Sequence, residues 1–164
     1  MSAFNVNEIR ADFPILNESV HGKPLIYFDN GATSQKPNAV IERISRYYTH
    51  ENANVHRGVH FLSDQATNAY EQARTTIARY INAEHSQEII FTKGTTDSIN
   101  TVAFSLGETL KPGDEILISG MEHHSNIVPW QMLCERKGTV LKVIPVTPAG
   151  TLDLEAFEGL LSER

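Results

Sequence analysis

Apolar residues in the second half of the chain alternate between two spacings. Short apolar runs at 88–91, 115–119 and 139–144 are typical of strands, and the stretches between them, 95–106 and 125–137, carry apolar residues at helical spacing. Strands that alternate with helices of this length imply crossover connections and a parallel sheet. The pattern therefore predicts an α/β fold.

The first half of the chain is predicted to be mainly helical. A short helix is expected at 6–12, because the residue before Pro14 avoids the helical region. A β-prone run at 25–28 leads into a loop of small and polar residues at 29–33. Two further helices are predicted, one after Pro37 and one from about Ser63, each with one apolar face.

The predicted sheet has few strands for an α/β protein. Only three or four apolar runs qualify as strands, and the amphipathic helix at 153–161 has no strand after it. Parallel sheets are normally covered on both faces and extend further. The sequence therefore predicts an N-terminal arm with a short helix at 1–24, and the truncated first portion of a larger α/β domain at 25–164.

Composition excludes several classes of function. The 164 residues carry 14 basic and 20 acidic side chains, a net charge of −6, which argues against nucleic acid as a main partner. No apolar run approaches the roughly 20 residues that span a membrane, and residues 1–5 lack a leader pattern. Cys134 is the single cysteine, so no disulfide can form within the chain, and a cytoplasmic location is predicted.

A turn of small residues after the run at 88–91 is a candidate phosphate site. Gly94 would let the backbone approach a ligand, and Thr95 and Thr96 each offer a hydroxyl and an N–H group at a helix start. A simpler interpretation makes Thr95 only the helix N-cap, with Asp97 placed to suit the helix dipole. The local sequence leaves both interpretations open.

Histidines form a second candidate feature. His123 and His124 follow the strand at 115–119, at the edge where open α/β sheets bind ligands. Adjacent side chains of an extended segment point to opposite sides, so only one of the two would face a given ligand. A metal site that combines this pair with His56 and His60 is disfavoured, because a helix that includes Gly58 is doubtful.

Five segments together resemble one known family. They are Ala-Asp-Phe-Pro (11–14), Tyr-Phe-Asp-Asn-Gly-Ala-Thr-Ser-Gln-Lys-Pro (27–37), Asn-Val-His-Arg-Gly-Val-His (54–60), Lys-Gly-Thr-Thr-Asp-Ser-Ile-Asn (93–100) and Met-Glu-His-His-Ser-Asn-Ile-Val-Pro-Trp-Gln (121–131). In this order they resemble the N-terminal part of cysteine desulfurases of the Suf type. These enzymes are also described as selenocysteine lyases and belong to the class-V aminotransferase group.

The resemblance implies a fold, a reaction and partners. The fold would be part of the large domain of fold-type-I transferases, which bind pyridoxal 5′-phosphate (PLP). The parent activity would convert L-cysteine, or L-selenocysteine, to L-alanine and pass the sulfur as a persulfide to an acceptor protein of iron–sulfur cluster assembly. The full-length parent would be a homodimer, with no nucleic acid, membrane or resident metal involved.

The resemblance also assigns roles to residues. Thr95 and Thr96 would bind the cofactor phosphate, and His123 would stack on the pyridine ring and assist proton transfer. Four residues would lie on the substrate side or near the mouth of the site: Gly31, Ala32, His56 and Arg57.

Departures from the family pattern limit what this chain is expected to do. Members are more than twice as long, and none of the six lysines here has the Ser-Gly-His-Lys context of the Schiff-base lysine. Cys134 does not match the persulfide cysteine. The chain alone is therefore expected to be inactive. Two alternatives are a non-catalytic interaction module and a related class-V enzyme that acts on another amino acid, such as kynurenine or serine.

Overall fold

A computed structural model describes residues 4–164 as two compact units, which divide between Ile89 and Ile90. The first three residues of the predicted arm lie outside the described residues. The prediction that residues 1–5 lack a leader pattern therefore falls partly outside them. Within residues 4–164, no helix is both long enough and apolar enough to span a bilayer.

The first unit is mainly helical. Its helices are α1 (Val6–Ala11), α2 (Asn38–Arg46) and α3 (Phe61–Tyr80), and its strands are β1 (Ser19–Val20) and β2 (Lys23–Pro24). Three shorter turns of 3-10 or π type cover Pro14–Asn17, Tyr47–Glu51 and Ser86–Glu88. Ala66, on the predicted apolar face of α3, is buried, whereas Ile77 and Tyr80 of that face are 41% and 87% exposed.

The second unit contains the predicted strand–helix–strand motif. Its elements are α4 (Thr95–Gly107), β3 (Glu115–Ser119), a 3-10 turn (His124–Asn126), α5 (Val128–Lys137), β4 (Val140–Ile144) and α6 (Leu154–Leu160). Strands β3 and β4 pair in parallel, from Glu115 opposite Val140 to Ser119 opposite Ile144. Gly138 ends α5 in the left-handed conformation, with φ of 71°. The prediction of parallel strands joined by a helix is confirmed.

The core of the second unit lies where α4 meets α5. Leu133 of α5 is 2% exposed and Ala103 of α4 is 4% exposed. Gly107 allows the close approach, because a Cβ atom there would clash with Cδ1 of Leu133. This contact places the middle of α5 beside the C-terminal end of α4.

Two predicted strands are wrong. Residues 25–28 and 88–91 form no ladder with any described residue. Ile26 and Phe28 are 76% and 93% exposed, which is unlike a strand within a sheet. Local composition can favour an extended backbone, but a strand also needs a neighbour to pair with, and the described residues supply none.

One hairpin was missed. His21 and Gly22 both have positive φ, 53° and 72°, and join the antiparallel pair β1 and β2. Two consecutive residues with positive φ are typical of a type I′ hairpin. Pro24 is unusual in a strand and is tolerated here because β2 lies at the edge of a two-stranded sheet.

Candidate functional site

The start of α4 has the backbone geometry of an anion site. Gly94 is the N-cap residue, with φ of 149° and ψ of 178°. The helical hydrogen bonds begin at Ser98, whose backbone N–H donates to the Gly94 carbonyl oxygen at 3.0 Å. The N–H groups of residues 95–97 have no acceptor among the described residues. Unpaired N–H groups at a helix start are available to bind an anion.

Two threonine hydroxyls at this helix start are also available. The neighbouring threonine hydroxyls are already engaged, since Thr92 Oγ1 lies 2.6 Å from Ser98 Oγ and Thr101 Oγ1 donates to the Asp97 carbonyl at 2.8 Å. The hydroxyls of Thr95 and Thr96 are exposed and make no hydrogen bond within the described residues. The three amides and two hydroxyls form a set of donors that fits a phosphate group.

The carboxylate of Asp97 does not compete for these donors. Its Oδ2 accepts a hydrogen bond of 3.1 Å from the backbone N–H of Lys93, in the loop before the helix. The alternative that made Thr95 the N-cap is wrong, because Gly94 occupies that position and Thr95 is the first helical residue.

The conformation of Gly94 leads to a stability prediction. Its φ and ψ lie in a region that is essentially restricted to glycine, although a Cβ atom there would meet nothing within 4 Å. Gly94→Ala is expected to lower the free energy of unfolding by about 1–3 kcal/mol through backbone strain alone. Urea unfolding of the full chain measures this change.

Gly159→Ala is the matched control for that experiment. Gly159 lies within α6, and a Cβ atom there would also meet nothing within 4 Å. Because alanine favours a helix over glycine by about 0.5–1 kcal/mol, this variant is expected to gain stability. Equal stability of the Gly94→Ala variant and the unsubstituted chain would contradict the strain argument.

His123 is fixed in place by the turn that follows it. Its Nδ1 accepts from the Ser125 backbone N–H at 3.2 Å and lies 3.0 Å from the Ser125 hydroxyl. A backbone N–H only donates, so a neutral His123 ring in this bond carries its proton on Nε2. The His124 ring lies at 90° to that of His123, with ring centroids 5.9 Å apart. The two adjacent imidazoles therefore differ in orientation.

Glu122 is a residue of this site that the sequence interpretation missed. It accepts hydrogen bonds from Ser119 Oγ at 2.6 Å and from Asn126 Nδ2 at 2.8 Å. The bond from Ser119, followed by that from Asn126, holds the pKa of the Glu122 carboxyl below its usual value. The spacing of Glu122, Asn126 and Trp130, each four residues apart, was the available signal.

In the first unit, the loop that carries Gly31 and Ala32 is closed by a tyrosine. The Tyr27 hydroxyl donates to the carbonyls of Asp29 at 3.0 Å and Thr33 at 2.7 Å. A Cβ atom at Gly31 would meet nothing within 4 Å. The loop therefore leaves open space beside Gly31.

The loop that carries His56 and Arg57 is held against α3. The His56 amide donates to Thr67 Oγ1 at 2.9 Å, and the His56 ring nitrogen Nε2 lies 3.1 Å from Glu71 Oε1. His56 has a positive φ of 67°, which is uncommon for a residue other than glycine. Ser63, which is 1% exposed, accepts from the Gly58 amide at 3.0 Å.

The structure brings together only part of the predicted site. Helix α4, which begins at Thr95 and Thr96, packs against the 3-10 turn His124–Asn126 that His123 caps. Gly31, Ala32, His56 and Arg57 belong to the first unit. Among the described residues, no group of three or more histidine, cysteine, aspartate or glutamate side chains could hold a metal ion. The ligand roles of the seven predicted residues stay predictions.

Comparison with known proteins places the chain among close relatives. The family model "Aminotransferase class-V" matches residues 26–164. A cysteine desulfurase of Salmonella newport is 54% identical over 98% of this chain and 40% of its own length. The apo structure of a cysteine desulfurase from Thermococcus onnurineus has a TM-score of 0.87 at 43% identity, over 97% of this chain and 38% of that one.

A more distant solved structure carries a cofactor. It is a C-DES mutant with glycine covalently linked to its PLP cofactor, with a TM-score of 0.68 at 25% identity over 84% of this chain and 33% of that one. The chain spans from about a quarter to two fifths of the length of the curated relatives it matches. These likenesses confirm the predicted α/β architecture.

Proposed function

The chain belongs to the class-V aminotransferase family, and from that premise we propose that it forms the phosphate-binding part of a PLP-dependent cysteine desulfurase. The reaction of the complete enzyme would convert L-cysteine to L-alanine and keep the sulfur as an enzyme-bound persulfide. Relatives at 54% identity carry the name cysteine desulfurase, which supports this choice within the family.

The start of α4 is the observation that carries the proposal. The unpaired N–H groups of residues 95–97 and the free hydroxyls of Thr95 and Thr96 make a donor set suited to a dianion. A charge-assisted hydrogen bond contributes about 1.5–3 kcal/mol, whereas the helix dipole contributes about 0.3–1 kcal/mol per charge. Direct hydrogen bonds therefore dominate, and loss of the two threonine hydroxyls should weaken binding of the phosphate more than a change in the helix dipole.

His123 is the residue that we assign to the cofactor ring. Its ring is exposed, with Nδ1 held by Ser125, so that one face and Nε2 remain available for contact. Stacking on the pyridine ring would orient the cofactor, which supplies the electron sink for bond cleavage when it is bound. The Nε2 proton would then be available for transfer near the reacting atoms.

The remaining assignments concern substrate and partners. Gly31 and Ala32 would line the substrate side, and His56 and Arg57 would lie near the mouth of the site. The substrate would be L-cysteine or L-selenocysteine, and the sulfur would pass to an acceptor protein of iron–sulfur cluster assembly. We place this activity in the cytoplasm, in a homodimer of the full-length parent.

A chimera tests the proposed reaction. This chain would replace the segment that it matches in the Salmonella newport cysteine desulfurase, and alanine release from L-cysteine would be measured with added PLP. We expect turnover by the chimera and none by the 164-residue chain alone, since its lysines lack the Schiff-base context. Turnover of kynurenine or serine in place of cysteine would contradict the substrate, and alanine release by the chain alone would contradict its inactivity.

A non-catalytic interaction module is the second candidate function. Several large apolar side chains are highly exposed, among them Phe28 at 93% and Val59 at 102%. Exposed apolar surface of this kind is typical of protein–protein contacts. A colourless, self-associating chain that leaves the chimera inactive would favour this candidate, whereas a yellow chimera that consumes cysteine would favour the enzyme.

A further inference from the structure

A directional chain of hydrogen bonds spans the connection between β3 and α5. Ser119, the last residue of β3, donates to Glu122, and Asn126 donates to the same carboxylate through Nδ2. Asn126 Oδ1 in turn accepts from the indole Nε1 of Trp130 in α5 at 2.8 Å. Four side chains thus join the strand end, the 3-10 turn and the following helix.

The donor and acceptor groups of these four side chains permit only one arrangement of the hydrogen bonds. An indole N–H can only donate, so the Asn126 oxygen faces Trp130 and the Asn126 amide nitrogen faces Glu122. An ionised carboxylate only accepts, and both oxygens of Glu122 are used, one by Ser119 and one by Asn126. Glu122 is therefore the common acceptor on which the arrangement depends.

His123 lies inside the segment that this network spans. Its carbonyl accepts from the Asn126 backbone N–H at 2.8 Å, and its Nδ1 accepts from Ser125. Loss of the Glu122 carboxylate would release Asn126, and with it the turn that fixes the His123 ring. Helix α4, whose first turn carries the phosphate donors, packs against this turn.

We propose that Glu122 is a positioning residue that holds His123 at the cofactor ring, through Ser119 on one side and Asn126 and Trp130 on the other. The proposal deepens the function proposed above and rests on it for the identity of the bound group. Glu122 itself makes no contact with the cofactor in this account.

Two substitutions separate the role of the hydrogen bonds from that of the charge. In Glu122→Gln, the amide oxygen can accept from Asn126 and the amide nitrogen can donate to Ser119 Oγ, which is able to accept. In Glu122→Ala both bonds are lost. We therefore expect the glutamine variant to retain the geometry and the alanine variant to lose it.

Glu115 supplies a matched control at the other end of β3. It too accepts two side-chain contacts, from Lys142 Nζ at 2.6 Å and from Ser162 Oγ at 2.6 Å, and these lower the pKa of its carboxyl. Glu115→Ala therefore removes a similar pair of interactions from the same strand. This substitution should leave the solvent exchange of the Trp130 indole N–H and the ring shifts of His123 unchanged.

The experiment combines NMR of the full chain with cofactor binding. Trp130 is the single tryptophan, so one indole N–H resonance reports the network, and the ring ¹⁵N shifts of His123 report its tautomer. For Glu122→Ala we expect solvent exchange of the indole N–H and the dissociation constant for PLP both to rise about tenfold or more, with altered His123 shifts. Glu122→Gln should stay within about threefold of the unsubstituted chain, which corresponds to less than one hydrogen bond.

Three results would overturn the positioning role. They are unchanged His123 shifts in the Glu122→Ala variant, unchanged PLP affinity in that variant, and an equal loss of affinity in Glu115→Ala. Failure of the unsubstituted chain to bind PLP would instead contradict the proposed function. In that case the Trp130 and His123 resonances would still decide whether Glu122 holds the turn.

Discussion

Replacing both Thr95 and Thr96 by alanine is expected to raise the dissociation constant for PLP by about 10²–10⁴-fold. Each hydroxyl can give one charge-assisted hydrogen bond to the phosphate, and two such bonds at about 1.5–3 kcal/mol each correspond to this range. Reconstitution of the apo chimera with increasing PLP, followed by absorbance, measures the constant. The backbone N–H groups of residues 95–97 remain in the variant and should preserve weak binding.

Thr101→Ala is the control for the double variant. Thr101 lies on the same helix, but its hydroxyl already donates to the Asp97 carbonyl at 2.8 Å and is not available to a ligand. Its removal should change the dissociation constant by less than about threefold, well under the worth of one charge-assisted bond. A double variant that bound PLP as tightly as the Thr101→Ala chimera would show that these hydroxyls do not hold the phosphate.

Leu133→Ala is expected to destabilise the second unit more than any other single truncation considered. Leu133 is 2% exposed and packs against Gly107 of α4, where no side chain is present to fill the space that would be left. Truncation of a buried leucine costs about 2–5 kcal/mol in the free energy of unfolding. Chemical unfolding of the full chain, followed by the fluorescence of the single Trp130, measures the loss.

The neighbouring Met132 provides the comparison for Leu133. Its side chain is 63% exposed, so Met132→Ala should change the free energy of unfolding by less than about 1 kcal/mol. Similar losses for the two variants would mean that the α4–α5 contact does not form the core of this unit.

The sequence predicts the second unit well because its structure depends on local pattern. Alternating apolar runs and helical spacing located the ends of β3 and β4 within one residue and those of α5 within three. The runs at 25–28 and 88–91 were equally apolar, yet they form no ladder among the described residues. Strand formation depends on a partner that the local sequence does not specify.

The candidate site was predictable to a similar, partial extent. A glycine followed by two threonines at a helix start predicted the exposed donors, because helix ends leave amides unpaired whatever the tertiary structure. Glu122 was not predicted, since its role depends on the direction of hydrogen bonds between side chains that meet only in the folded chain. The left-handed backbone of His56 was missed for the same reason, because its contacts come from α3.

Binding of two forms of one cofactor to the full chain tests the central claim, that the start of α4 holds the phosphate of PLP. Equilibrium dialysis would compare pyridoxal 5′-phosphate with pyridoxal, which lacks only the phosphate group. The account predicts binding of the phosphate ester at least about 100-fold tighter, since only the ester can use the donors of Thr95 and Thr96. Equal affinity for the two forms, or a preference of undiminished size with alanine at both threonines, would contradict it.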